Sequence, residues 1–134
     1  MKKTVFIIED DHELVDLLKI RLESLGHKAL SCDNGEEALN SVEKIKPDLI
    51  ILDIFLADMD GLTVLKRLKA EVDIVTGEPS EIKDIPVIVI TGKAPMVESM
   101  TRLEGAVDFF VKPFDTSKLL ERIYEVLHKP LEKK

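Results

Sequence analysis

The sequence has a single cysteine, Cys32, so no intrachain disulfide can staple the fold. Its three histidines, His12, His27 and His128, fall at spacings that match no metal-binding motif. Basic residues do not dominate. Nineteen Lys and Arg stand against 26 Asp and Glu, a net charge of -7, which argues against nucleic-acid binding through a basic surface of this chain alone. Long apolar runs are missing too. The stretch after Met1-Lys2-Lys3 is cut off by Glu9-Asp10-Asp11, far short of a signal-peptide core, and no other run approaches a membrane span. These absences lead to the expectation of a cytoplasmic protein without membrane contact. There is also no repeat, no low-complexity tract and no linker, so the 134 residues predict one domain, 1–134. A hydrophobic fraction of 45% with 34% charged residues is ordinary for a folded chain and excludes wholesale disorder.

What is present is alternation. Short apolar runs begin near Val5, Lys28, Leu49, Val87 and Phe109, and amphipathic segments fill the gaps. The first helix is expected to start with Asp11 as N-cap and to bury Leu14, Leu17, Leu18, Leu22 and Leu25, with Gly26 at the left-handed C-terminal position. The second has Asn34 as N-cap with Glu37 three residues on, then Ala38, Leu39, Val42 and Ile45, and Pro47 as stop. A third runs from Gly61 through Leu62, Leu65 and Leu68, and a fourth from about 95 to 103, with Pro95 in its first turn. The fifth follows Asp115 and carries Leu119, Leu120, Ile123, Tyr124 and Leu127 before Pro130. Five strand–helix repeats predict an α/β fold, a doubly wound five-stranded parallel sheet with helices on both faces. The run at Lys28 is mixed in polarity and reads as an edge strand. The gap between the third and fourth runs is the longest. Its excess, at 70–84, contains the turn-forming, acidic Thr76-Gly77-Glu78-Pro79-Ser80 and is read as a surface insertion.

Four runs end in polar residues: Glu9-Asp10, Asp53, Thr91 and Lys112-Pro113. Each alone has an ordinary explanation. Acids at Glu9-Asp10-Asp11 suit a helix N-terminus, Asp53 or Thr91 can form a turn, and a lone lysine is usually solvated. Those explanations do not account for all four occurring at the same end of the runs. If the runs are parallel strands, the residues meet at the edge where open α/β sheets bind ligands. Clustered carboxylates repel unless a cation or lysine neutralises them, and Mg²⁺ is an oxygen-seeking ion suited to that task. Together they form a set suited to phosphoryl transfer.

With Met59-Asp60-Gly61 opening the third helix, and Gly105-Ala106 leading through Phe109 to Lys112-Pro113-Phe114, the chain resembles a response-regulator receiver domain of two-component signalling over nearly its whole length. The resemblance implies the flavodoxin-like (βα)5 receiver fold. It implies Asp53 as phosphoacceptor, with phosphate drawn from a sensor histidine kinase or a histidine phosphotransfer protein. Asp10, Asp53 and the backbone carbonyl of Phe55 would ligate Mg²⁺, and Glu9 would act through bound water. Thr91 and Lys112 would bind phosphoryl oxygens, and Lys112-Pro113 would be a cis peptide. Phe109 takes the aromatic switch position and Phe110 the core. Phe55 and Lys93, two residues after Asp53 and Thr91, would flank the water that removes the phosphoryl group. No activity on other substrates is implied, and a downstream protein partner, unidentified, reads the switched surface.

Departures from the family pattern are Ala57 where proline is frequent, a 91–109 segment one residue short, and the long 70–84 insertion. An aspartyl-phosphate phosphatase would need an acid at Phe55, and a flavin protein would need a phosphate-cradling loop where three acids stand. A receiver that serves only as an interaction module usually lacks one of the site residues, and none is missing here. Asp108 and Arg122 match the charge pattern of dimerising receivers, whereas Lys118 replaces an expected acid. The chain is either a free-standing receiver or part of a longer regulator.

Overall fold

The computed structural model describes residues 2–92 and 96–128, the backbone alone at 96 and 97. Five strands alternate with five helices: β1 (Thr4–Ile8), α1 (His12–Ser24), β2 (Lys28–Cys32), α2 (Gly35–Ile45), β3 (Leu49–Asp53), α3 (Gly61–Lys69), β4 (Val87–Thr91), α4 (Met96–Leu103), β5 (Asp108–Val111) and α5 (Thr116–His128). All strands are parallel in one sheet, ordered β2-β1-β3-β4-β5. The mixed-polarity run is an edge strand, as expected. β3 and β4 are buried at every position, because helices cover both of their faces.

Two apolar layers result. Phe6, Ile8, Ile50, Leu52, Val87 and Val89 meet Ala38 and Val42 of α2 and Val64, Leu65 and Leu68 of α3. Val5, Ile7, Leu49, Ile51, Ile88 and Ile90 meet α1 and α5. The helix starts follow the sequence. Asp11 accepts from the Leu14 amide, Asn34 from that of Glu37 and Asp60 from that of Leu62, so each cap satisfies a free N–H. Gly26 takes φ 89° just after α1, and α2 ends at Lys46 in the left-handed conformation, φ 47°.

Some expected core residues lie elsewhere. In α1 the buried stripe is Val15, Leu18 and Leu22, whereas Leu17 and Leu25 are exposed. A stripe spaced three and four residues apart is as much of one helix as a flat sheet can cover. Tyr124 of α5 is exposed and stacks on His128 instead of entering the core. The Pro95 and Pro130 boundaries lie outside the described residues.

The 70–84 excess forms a small hairpin. Val72 bridges Pro79 in antiparallel fashion, the Asp73 amide donates to the Glu78 carbonyl, and Gly77 turns the chain at φ 75°. Ile82 anchors it in the core beneath α2 and α3. The Lys69 ammonium donates to the Lys83 and Ile85 carbonyls at 3.1 and 2.6 Å, tying the returning segment to α3.

Candidate functional site

Parallel strands all deliver their carboxyl ends to the same edge of the sheet, and the register fixes the neighbours there. Ile8 pairs with Leu52, Asp53 with Ile90, and Thr91 with Val111. Glu9, Asp10, Asp53, Thr91 and Lys112 therefore end up at one edge. One carboxylate oxygen from each of Glu9, Asp10 and Asp53 lies within 4.8 Å of the others. Glu9, Asp53 and Thr91 are buried, and Asp10 is half-buried, so the cluster opens to solvent on its side.

The lysine closes the cluster. Lys112 Nζ lies 2.6 Å from Glu9 Oε1 and 3.1 Å from Asp53 Oδ2. This ammonium is the partner of the buried Glu9 Oε1. Glu9 Oε2 is better served, accepting from the amides of Asp10 at 2.9 Å and Asp11 at 3.1 Å. The Glu9 carboxyl is raised to about 7, by burial first and by neighbouring Asp53, against the downward pull of Lys112 and the Asp11 amide. For Lys112, burial lowers the ammonium, but Glu9 and Asp53 outweigh it and hold the group above the ordinary lysine range. Three crowded carboxylates, two of them buried and all within 4.8 Å of one another through one oxygen each, form a donor set of the kind a small oxygen-seeking cation satisfies.

Asp53 is oriented from both sides. Its Oδ1 accepts from the Phe55 amide at 2.9 Å while Oδ2 faces Lys112. The 54–60 loop that carries Phe55 is closed at its base, where the Gly61 amide donates to the Ile54 carbonyl at 2.9 Å and Phe55 bridges Asp60. Gly61 is obligatory at that crossing, because a Cβ there would sit 2.3 Å from Ile54 Cα. The Phe55 side chain is about half exposed beside the site. The Lys112 amide donates to the Thr91 carbonyl at 2.7 Å, joining β4 to β5 at the site, and Lys112-Pro113 is cis. Lys93 lies outside the described residues.

The two phenylalanines differ from expectation. Phe109 pairs with Val89 and is the buried one, packed in the layer of α2 and α3; Phe110 pairs with Ile90, faces the other layer and is only half-buried against Phe114. Adjacent strand residues face opposite ways, and β5 is an edge strand whose α5-side cover is incomplete at Phe110. Since Val89 and Thr91 share a face, Phe109 lies on the Thr91 side of the sheet, diagonal to it. Asp108 and Arg122 are partners within the chain, with Nε 2.7 Å from Oδ2. Arg102 of α4 joins them at 3.3 Å while pairing with Glu98 one turn back. Sequence reasoning missed Arg102; the four-residue Glu98–Arg102 spacing was its one signal.

Comparison with known proteins agrees with this geometry. The family model described as "Response regulator receiver domain" matches residues 5–124. The chain is 32% identical over 130 residues to the alkaline phosphatase synthesis transcriptional regulatory protein PhoP of Bacillus subtilis (strain 168), covering 96% of this chain and 50% of that protein. It thus spans about half the length of the curated relatives it matches. Among solved structures, a two-component response regulator from Clostridium difficile superposes with a TM-score of 0.82 at 25% identity, covering 95% of this chain and 97% of that one. The non-phosphorylated HemR receiver domain of Leptospira biflexa gives 0.81 at 26% identity, covering 98% and 99%. With sheet order, site geometry and sequence similarity in agreement along nearly its whole length, the chain belongs to the response regulator receiver domain family.

Proposed function

We propose that Asp53 is the phosphoacceptor of a two-component or phosphorelay pathway, and that it takes its phosphoryl group from a phosphohistidine on a sensor histidine kinase or a histidine phosphotransfer protein. The observation that carries this reading is the convergence of Asp53 with Glu9, Asp10 and Lys112 at one sheet edge. Its carboxylate is already aimed, one oxygen held by the Phe55 amide and the other by Lys112. In the transfer an Asp53 oxygen bonds to phosphorus, the P–N bond breaks, and its electron pair leaves with the imidazole. Asp10, Asp53 and the Phe55 carbonyl would hold Mg²⁺, with Glu9 acting through water. When bound, the ion neutralises the repulsion between the carboxylates and the incoming phosphoryl oxygens.

After transfer, Lys112 and Thr91 serve the new phosphoryl oxygens. Lys112 exchanges a carboxylate partner for a phosphoryl oxygen, and Thr91 moves towards the same group. Phe109, on the Thr91 side of the sheet, is placed to follow. The surface of α4, β5 and α5 changes as a result, including the Arg102–Asp108–Arg122 chain of ion pairs, and a downstream protein reads it. The protein catalyses no reaction beyond its own phosphorylation and dephosphorylation.

The test uses acetyl phosphate with Mg²⁺ and intact-mass measurement. Wild type is expected to gain one phosphoryl group, Asp53→Asn none, and chelation of the metal is expected to suppress labelling. Equal labelling of wild type and Asp53→Asn overturns the assignment.

A further inference from the structure

We infer that Asp58 is a positioning residue for the phosphoryl-transfer site, acting by clamping the 54–60 loop to the N-terminus of α2. The inference rests on the phosphoacceptor reading for its chemistry but on separate residues for its geometry. Asp58 Oδ1 accepts from the Gly35 amide at 2.9 Å and Oδ2 from the Glu36 amide at 3.2 Å. One carboxylate thus takes two of the amides that α2 leaves without helical partners, while the helix's own cap, Asn34, takes that of Glu37. The Gly35 amide, foremost, holds the Asp58 carboxyl below the ordinary carboxylate range, as expected for an acid at the positive end of a helix.

The apolar side of the same contact is tight. A Cβ on Gly35 would lie 2.8 Å from Val64 Cγ2 and 3.2 Å from Met59 Sδ, so α2 starts flush against the loop and α3. The clamp has a destination. The loop it holds begins with Ile54 and Phe55, and the Phe55 amide is what orients Asp53 Oδ1. The base of the loop is fixed by the Gly61–Ile54 hydrogen bond, but its outer part carries Ala57, exposed and without the ring constraint of a proline. Asp58 supplies, by anchoring the loop to α2, the restraint that Ala57 does not supply. Losing it frees the segment whose amide holds the reacting carboxylate, and small misplacements at such a group reduce rate steeply.

The experiment compares wild type with Asp58→Ala, Asp58→Ser and Asp58→Asn, each well below its unfolding midpoint. Three quantities are read: Mg²⁺ affinity from amide chemical shifts, the Phe55 amide resonance without metal, and the rate of acetyl phosphate labelling at saturating Mg²⁺. Asp58→Ala is expected to weaken Mg²⁺ binding at least threefold, slow labelling three- to tenfold and move the Phe55 amide. Asp58→Asn and Asp58→Ser, which keep one acceptor, are expected to recover part of each loss. A merely structural cap would lower the unfolding midpoint and leave all three readings alone. Affinity, rate and the Phe55 resonance within 1.5-fold or experimental error of wild type therefore overturn the inference. Should Asp58→Ala not fold, the Asp58→Ser variant decides by the same criteria. If wild type itself takes no phosphoryl group, the proposed function fails, whereas the Mg²⁺ affinity and Phe55 comparisons still decide the role of Asp58.

Discussion

Substituting Glu9 by glutamine tests the electrostatic account of the site in the absence of metal. In the fold the Glu9 carboxyl titrates near 7, against 4.5 in an unconstrained chain. Below pH 4.5 both states hold the proton and this group is neutral in the balance. Between pH 4.5 and 7 the unfolded chain releases the proton while the folded protein keeps it, so stability falls as pH rises, and the loss is complete above about 7. A gap of that size corresponds to about 3 kcal/mol at 1.36 kcal/mol per pH unit. Glutamine keeps an oxygen for the Asp10 and Asp11 amides but carries no charge, so it removes this pH dependence. The assay is urea unfolding in chelator at pH 4.5, 6, 7 and 8, for both proteins. Wild type minus Glu9→Gln should drop by about 3 kcal/mol across the series, with acids distant from the site cancelling in the difference. Mg²⁺ is expected to restore wild type at pH 8 more than the variant. A difference that stays flat with pH, or rises, would mean that Glu9 is ionised in the fold throughout and that Lys112 fully offsets its burial.

Further expectations concern the loops around Asp53 and the switch. Gly61→Ala places a methyl 2.3 Å from the Ile54 backbone and should cost about 3 kcal/mol in urea unfolding; a change below 0.5 kcal/mol would mean the crossing yields freely. Lys112→Ala should still permit partial labelling of Asp53 but blunt the chemical-shift response at Thr91 and Phe109, and a response of wild-type size excludes its role in the switch. The Phe55 side chain, exposed beside the site, offers no group to align an attacking water. Phe55→Asn should therefore speed decay of phosphorylated protein about fivefold, the worth of one hydrogen bond of about 1 kcal/mol. Unchanged or slower decay would show that the ring merely packs on its loop.

Much of the fold was legible because its signals are local. Asp11, Asn34 and Asp60 cap their helices through side chains reaching two or three residues ahead, and Gly26 satisfies a backbone angle of its own. Continuous Val, Ile and Leu runs bounded by polar residues mark strands covered on both faces. The face of each helix was less legible. The four leucines of α1 and Leu25 at its end describe a stripe wider than any sheet can cover, and only packing keeps Leu18 and Leu22 from it and adds Val15. Phe109 and Phe110 were symmetric in sequence; the depth of cover over each face of β5 made Phe109 the buried one.

At the site, sequence alone determined which groups are available: acids at the ends of β1 and β3, a hydroxyl at the end of β4 and a lysine at the end of β5, all at carboxyl ends that parallel pairing must bring to one edge. The tertiary structure decided what those groups do to one another. That Lys112 reaches both Glu9 and Asp53, that Glu9 is buried enough to hold its proton up to about 7, and that Asp58 grips the first amides of α2 all depend on contacts between segments far apart in sequence. Charge patterns along a chain fix which groups are available, but distance and burial fix their energies, and both of those exist only once the helices have closed over the sheet.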